Sequence, residues 1–229
     1  GTRFTLWLPG LSLPIVLPLL GTFNVANALC AAAITHAAGV PPAEIVAGLQ
    51  AAPPIPGLLT PVDAGQPFLV LIDEAKSAVA LVTTLEAARQ RRPEGRLIAV
   101  VSGSDVAQPG VLAQCGEIAT LAADFTVFTT RRARFADPAA LLARLATGAR
   151  AAGGREDLTF VCEADRRAAI THALSLAQPG DCVLLTGKGI EDTLIVGNDV
   201  RPWDEAVVAR EILAELGYGA THEPEASDA

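Results

Sequence analysis

The sequence predicts an α/β protein, a doubly wound and mainly parallel sheet preceded by a smaller piece of strands and helices. Three observations carry this. From residue 58 onward, short apolar runs alternate with longer stretches of helical period. The runs are apolar almost throughout, as in Phe68-Leu69-Val70-Leu71-Ile72, which is the pattern of strands covered on both faces. Just before them, residues 51–57 hold three prolines and read as a linker.

Taken in order, residues 4–8 and 14–17 read as two strands around a Pro9-Gly10 turn. A helix over 24–38 places Val25, Leu29, Ala32, Ala33 and His36 on one face, and Gly39 stops it. Pro41-Pro42 opens a second helix, 43–50, with Ile45, Val46 and Leu49 inward. After the linker, strands are expected at 67–73, 97–101, 125–128, 158–162 and 182–185. Helices are expected at 75–91, 111–121, from 138 to at least 145, at 164–177 and at 204–216. This divides the chain into 1–57, an α/β domain over 58–218, and a tail over 219–229 whose acidic end, from Glu223, reads as disordered. Ligands of such sheets sit beyond the carboxyl ends of the strands. Here those ends are 73–74, 102–105, 129–134 and 186–191.

Composition removes several classes of function. A net charge of -8 argues against nucleic acid as a partner. The apolar run 11–20 is broken by Pro14 and Pro18 and has no basic flank, so neither a membrane span nor a signal peptide is expected. Cys30, Cys115, Cys162 and Cys182 are far apart in apolar patterns, which reads as buried free thiols of a cytoplasmic protein. His36, His172 and His222 have no partner at ligand spacing, so no metal site and no general base are assigned. No nucleophile-and-base pair is recognisable, and no catalytic residue is named.

The carboxyl-end segments are the candidate sites. In Thr186-Gly187-Lys188-Gly189 a lysine stands between glycines after a strand, but the phosphate-loop pattern fails. Cys182 stands where that pattern needs a glycine, and Gly189 where it needs a hydroxyl. The turn is then either a plain tight turn or a site for something other than phosphate. Ser102-Gly103-Ser104-Asp105 is either a plain loop or a short nucleotide turn. Arg131, Arg132 and Arg134 could clamp an anion or form a solvated basic loop.

Several stretches together resemble the Mur ligases, closest to the branch that adds the third residue to UDP-N-acetylmuramoyl-dipeptide. They are Gly1-Thr2-Arg3-Phe4, Leu20-Gly21-Thr22-Phe23-Asn24-Val25-Ala26-Asn27, Ile55-Pro56-Gly57 with Val62-Asp63-Ala64-Gly65-Gln66-Pro67-Phe68, Gly187-Lys188-Gly189-Ile190-Glu191 and Arg201-Pro202-Trp203-Asp204. The resemblance implies a Rossmann-like carboxyl-terminal domain at 58–218, with 1–57 as the end of the family's ATPase domain. It implies an ATP- and Mg-dependent reaction in which a carboxyl is activated as an acyl phosphate and joined to an amino acid. Asn24 and Asp73 are carried over as nucleotide contacts, and Arg134, Gly187 and Glu191 as contacts to the incoming amino acid. In that assignment Arg134 takes a carboxylate and Glu191 an ammonium group.

The departures from the family pattern are local. Ile190 replaces a histidine, Lys76 another, Leu58 an arginine, and Arg131-Arg132-Ala133 replaces Asp-Asn-Pro ahead of Arg134. The family's phosphate loop, magnesium ligands and nucleotide-sugar domain precede the segment where this chain begins. The chain is therefore expected to be a piece of a longer ligase or a shortened relative, inactive alone and without tight ATP or Mg binding. The substrates implied are an amino acid and a UDP-muramoyl-peptide. The rival expectation is a non-catalytic scaffold or regulator with a decayed site. In either case the apolar faces of 1–50 are expected to pack on the α/β domain or on a second copy.

Overall fold

The computed structural model describes residues 1–219; the expected tail beyond them, His222 included, lies outside the described residues. The chain opens with an antiparallel hairpin, β1 (Thr2–Leu8) and β2 (Leu11–Leu17), and two helices, α1 (Phe23–Ala37) and α2 (Pro42–Gln50). The larger unit runs β3 (Thr60–Val62), β4 (Leu69–Asp73), α3 (Ala78–Arg91), β5 (Leu97–Ser104), α4 (Pro109–Ala122), β6 (Phe125–Ala133), α5 (Pro138–Ala151), β7 (Phe160–Cys162), α6 (Arg166–Leu176), β8 (Cys182–Thr186), β9 (Thr193–Val196), β10 (Asp199–Pro202) and α7 (Glu205–Glu215). Its sheet has the order β10-β9-β6-β5-β8-β4-β3, with β7 paired to the first half of β6.

The expected doubly wound, mainly parallel sheet is what forms. β4, β8, β5, β6 and β7 are parallel neighbours, and only the edges β3 and β10 run antiparallel. Helices α3, α4 and α5 cover one face through Leu81, Leu85, Leu112, Leu141 and Leu145. The other face is covered by α6 and α7 through Ile170, Leu174, Ile212 and Leu213. Four helices start on a side chain that accepts backbone N–H groups: Ser77, Asp137, Asp165 and Asp204. The cap at Ser77 explains why α3 begins at Ala78 and not at the expected residue 75.

Three features differ from the sequence expectation. β5 and β6 run on to Ser104 and Ala133, so most of the expected loop 129–134 is strand. The hairpin β9–β10, where no element was expected, pairs Ile195 and Val196 with Arg132 and Ala133 and so extends the sheet beside β6. In α1 the buried side is Asn24, Ala28 and Ala32, while Leu29 and Ala33 are exposed. An alanine-rich helix has little apolar contrast around its circumference, so the face was set by packing. Ile45 is buried, with Val46 and Leu49 packed beside it, as expected.

The first piece has its own small core of Leu6, Ile15, Leu17, Ala28, Ala32 and Ile45. It meets the larger core through Leu20 and Phe23, while the outer face of the hairpin leaves Trp7 and Val16 exposed.

A buried ion pair holds α6, β8 and the start of α7 together. Arg166 Nε donates to Glu205 Oε2 at 3.0 Å and its Nη2 to the Thr186 carbonyl at 2.9 Å. Trp203 Nε1 donates to the same Glu205 oxygen at 2.6 Å. Both charges are buried, so removing one strands the other. Arg166→Met alone should cost about 3–5 kcal/mol in urea unfolding. Arg166→Met combined with Glu205→Leu should recover more than half of that loss. A double variant no more stable than the single would contradict this account.

Candidate functional site

The site is built around the end of β8, the most enclosed strand of the sheet. Thr186 Oγ1 donates to the Val100 carbonyl at 2.9 Å. The Thr186 carbonyl accepts from Ser102 Oγ at 3.2 Å as well as from Arg166. The chain then turns at Gly187, where φ is 95°. A Cβ there would lie 2.0 Å from Ser102 Oγ and 3.2 Å from Arg131 Cδ, so the absent side chain is what lets the arginine stem pass beneath the turn. Gly189, at φ 52°, fits equally closely against Glu74, at 2.7 Å from its Cβ. Above the loop, Gly57 of the linker backs onto Ile190.

This packing concentrates charge on one carboxylate. Glu191 Oε1 meets Lys76 Nζ at 2.8 Å and Arg131 Nη1 at 3.3 Å. Its Oε2 meets Lys188 Nζ at 2.9 Å. Lys76 also pairs with Glu74. Lys188 is fully buried, and its ammonium reaches the Thr193 carbonyl as well. Burial lowers the pKa of Lys188 against the opposing pull of Glu191. Burial would raise that of Glu191, but hydrogen bonds from Lys76 and Lys188 outweigh it and hold the carboxyl below its usual range.

The five sequence-assigned residues are not all brought together. Gly187 and Glu191 share the loop just described. Asp73, at the end of β4, is buried and already accepts from Leu59 N, Ala75 N and Thr84 Oγ1. Burial raises its pKa against those hydrogen bonds. Asn24 is buried, with Nδ2 donating to the Leu20 carbonyl and Oδ1 accepting from Asn27. Arg134 lies away from Glu191: it is exposed, with its guanidinium 5.6 Å from the Phe135 ring centroid. The arginine that reaches Glu191 is Arg131, because β6 continues past Phe128 and turns that residue inward. Arg132 instead pairs with Asp105 at 3.2 Å. Lys76 and Arg131 stood out in the sequence as departures from a pattern; nothing there showed that both converge on Glu191.

A cleft of about 480 Å³ lies beside this cluster, lined by Phe23, Leu58, Asp73, Lys76, Ser77 and Thr84. Its position between the first piece and the sheet rim suits a ligand. The hydrogen bonds of Asp73 and Asn24 hold the linker and the start of α1. No three His, Cys, Asp or Glu residues are placed to hold a metal ion among the described residues. No described helix is long and apolar enough to cross a membrane.

A doubly wound sheet with a glycine-framed loop and a cleft at its rim defines an α/β domain with a candidate ligand site beyond its strand ends. The chain belongs to the Mur ligase, glutamate ligase domain family, whose pattern matches residues 59–189. It is 41% identical over 96% of its length to the UDP-N-acetylmuramyl-tripeptide synthetase of Roseiflexus sp. (strain RS-1). It is 35% identical over 95% of its length to the UDP-N-acetylmuramoyl-L-alanyl-D-glutamate--2,6-diaminopimelate ligase of Geobacillus kaustophilus (strain HTA426). A solved structure of a UDP-N-acetylmuramoyl-L-alanyl-D-glutamate--2,6-diaminopimelate ligase superposes on 95% of the chain with a TM-score of 0.65 and 25% identity. The chain spans 43% of the length of each of those two curated relatives and 44% of that structure.

Two outcomes follow from this geometry. Gly187→Ala should cost at least ~2 kcal/mol, from left-handed strain plus overlap with Ser102, as read by thermal or urea unfolding. Because the Glu191 carboxyl is held low, its contribution is complete above the usual glutamate range and is lost as pH falls through its depressed value. Glu191→Gln should therefore lose most stability near neutrality, where that contribution is complete, and little in acid, where the wild type has already lost it, so that the acid side of the profile flattens.

Proposed function

We propose that this chain is the acceptor-side part of a Mur-type ligase, which forms an amide between a peptidoglycan precursor and an amino acid. The observation that carries the proposal is the Gly187–Glu191 turn at the rim of the sheet. It presents a half-buried carboxylate and a close backbone turn next to a cleft, in a chain 41% identical to a tripeptide synthetase. In this reading the loop holds the incoming amino acid while the precursor's carboxyl is attacked as an acyl phosphate. ATP and Mg are the cofactors of that reaction; Asp73 and Asn24, carried over from the family as nucleotide contacts, also fix the linker and the start of α1.

One observation favours a second reading, a non-catalytic scaffold. Glu191, the group assigned to an ammonium, is already neutralised by Lys76, Lys188 and Arg131. An NMR titration of the full chain with a panel of α-amino acids separates the two. The ligase reading expects saturable shifts confined to 187–191 and the end of β6. The absence of any shift at tens of millimolar would leave the scaffold. In calorimetry with Mg-ATP, this chain alone should bind no tighter than about millimolar, ~-4 kcal/mol.

A further inference from the structure

Lys76 stands between two carboxylates. Its ammonium meets Glu191 Oε1 at 2.8 Å and also pairs with Glu74. Both acids are held in place by their surroundings. Glu191 ends the loop that leaves β8, and its Oε2 is engaged by the fully buried Lys188 at 2.9 Å. Glu74 lies against the same loop, where a Cβ on Gly189 would fall 2.7 Å from the Glu74 Cβ. The spacing of the two acids is thus set by main-chain packing, while the lysine that joins them is the movable member. Its side chain is 32% exposed on a flexible four-carbon stem. Arg131, the other cation on Oε1, is only 9% exposed. Asp73 lines the same cleft but gives the lysine no third resting place, since it is buried and accepts from Leu59 N, Ala75 N and Thr84 Oγ1. Burial would lower the pKa of Lys76, but hydrogen bonds to Glu191 and Glu74 outweigh it, so the side chain stays charged through the neutral range.

We propose that Lys76 is an internal competitor for the acceptor's ammonium group: it holds Glu191 Oε1 against other cations and withdraws to Glu74 when a ligand's ammonium takes its place. This rests on reading the rim as the acceptor site. Oε2 is committed to a lysine that cannot leave, so Oε1 is the oxygen a ligand can reach. Lys76 covers that oxygen with the same functional group the ligand brings. Of the two cations there, it is the one able to yield, because Glu74 keeps its charge paired after it moves. The exchange replaces one ammonium–carboxylate contact with another, and neither charge is stranded. The consequence is an apparent affinity lowered by the fraction of molecules in which Oε1 is uncovered.

NMR titration of the full chain with L-alanine, L-lysine and meso-diaminopimelate, read at the amides of 187–191, tests this. Lys76→Met keeps the stem and removes the ammonium at an exposed position. It should tighten each amino acid about two- to fivefold, the effect of one part-exposed ion pair. N-Acetyl-L-alanine, which has no ammonium, should gain nothing from it. Glu74→Gln removes the resting place and should weaken each amino acid. In the Lys76→Met background the same substitution should change nothing, because Glu74 acts only through the lysine. Unchanged or weaker binding by Lys76→Met would overturn the competitor role while leaving the acceptor reading standing. Equal effects of Glu74→Gln in both backgrounds would reduce the two residues to a general field and would also overturn it. Binding of no amino acid by the wild type or by any variant would overturn both readings, whereas binding by the Lys76→Met variants alone is the expected result in its strongest form.

Discussion

The central place of β8 in the sheet is the constraint on which the rest depends. This strand follows β4 to β7 in the chain, yet it is inserted between β4 and β5, and all five of its residues are buried. Insertion from α6 on the opposite face reverses the direction of winding, and in open α/β sheets that reversal opens a crevice at the strand ends. The residues that leave β8 must pass through the crevice. Only a chain without Cβ atoms fits between Ser102 and Arg131 on one side and Glu74 on the other, which is why glycines flank Lys188. The sequence Gly-Lys-Gly is thus a consequence of strand order, and its likeness to a phosphate loop is incidental.

Electrostatics at the rim follow from the same placement. A lysine between two glycines cannot reach solvent here, so Lys188 needs an internal anion, and Glu191 three residues on supplies it. That alone would make a neutral pair with one carboxylate edge open to a ligand's ammonium. Lys76 and Arg131 close that edge. Their effect is to engage the Glu191 carboxylate from β6 and from the β4–α3 connection as well as from its own loop.

Much of this was legible in the sequence, and the failures have physical causes. Alternation of apolar runs with helical stretches located the parallel strands β4 to β8 and every helix of the larger unit, because strands covered on both faces have few polar interruptions. Short edge elements escaped. β3 has three residues, and β9–β10 is half-exposed, so neither leaves a continuous apolar run. Missing β9 had a cost at the site. Without its partner, β6 seemed to end at Phe128, and Arg131 to Arg134 became interchangeable members of a loop. Once the strand continues, strict alternation distinguishes them: Arg131 and Ala133 turn inward while Arg132 is half-buried against Asp105. The assignment of Arg134 by motif position therefore selected an exposed residue, three places from the one that reaches Glu191. Asp73 and Asn24 were assigned as nucleotide contacts by motif alone; that both are buried and hydrogen-bonded to nearby backbone was not legible in the apolar pattern of the sequence.

The linker connects these observations. Leu59 N donates to Asp73 Oδ2 at 3.0 Å, and Gly57 lies against Ile190 and Gly189, so the segment joining the two pieces forms the roof of the charged loop. Gly57 itself has φ of 73°, a conformation that a side chain would strain and that would also drive a Cβ into Ile190. The seat of the first piece and the seat of the Gly187–Glu191 loop are consequently one structural element. Asp73 ties the linker to β4, and Glu191 ties the loop to both β6 and the β4–α3 connection, so the first piece and the charged loop rest on the same end of the sheet.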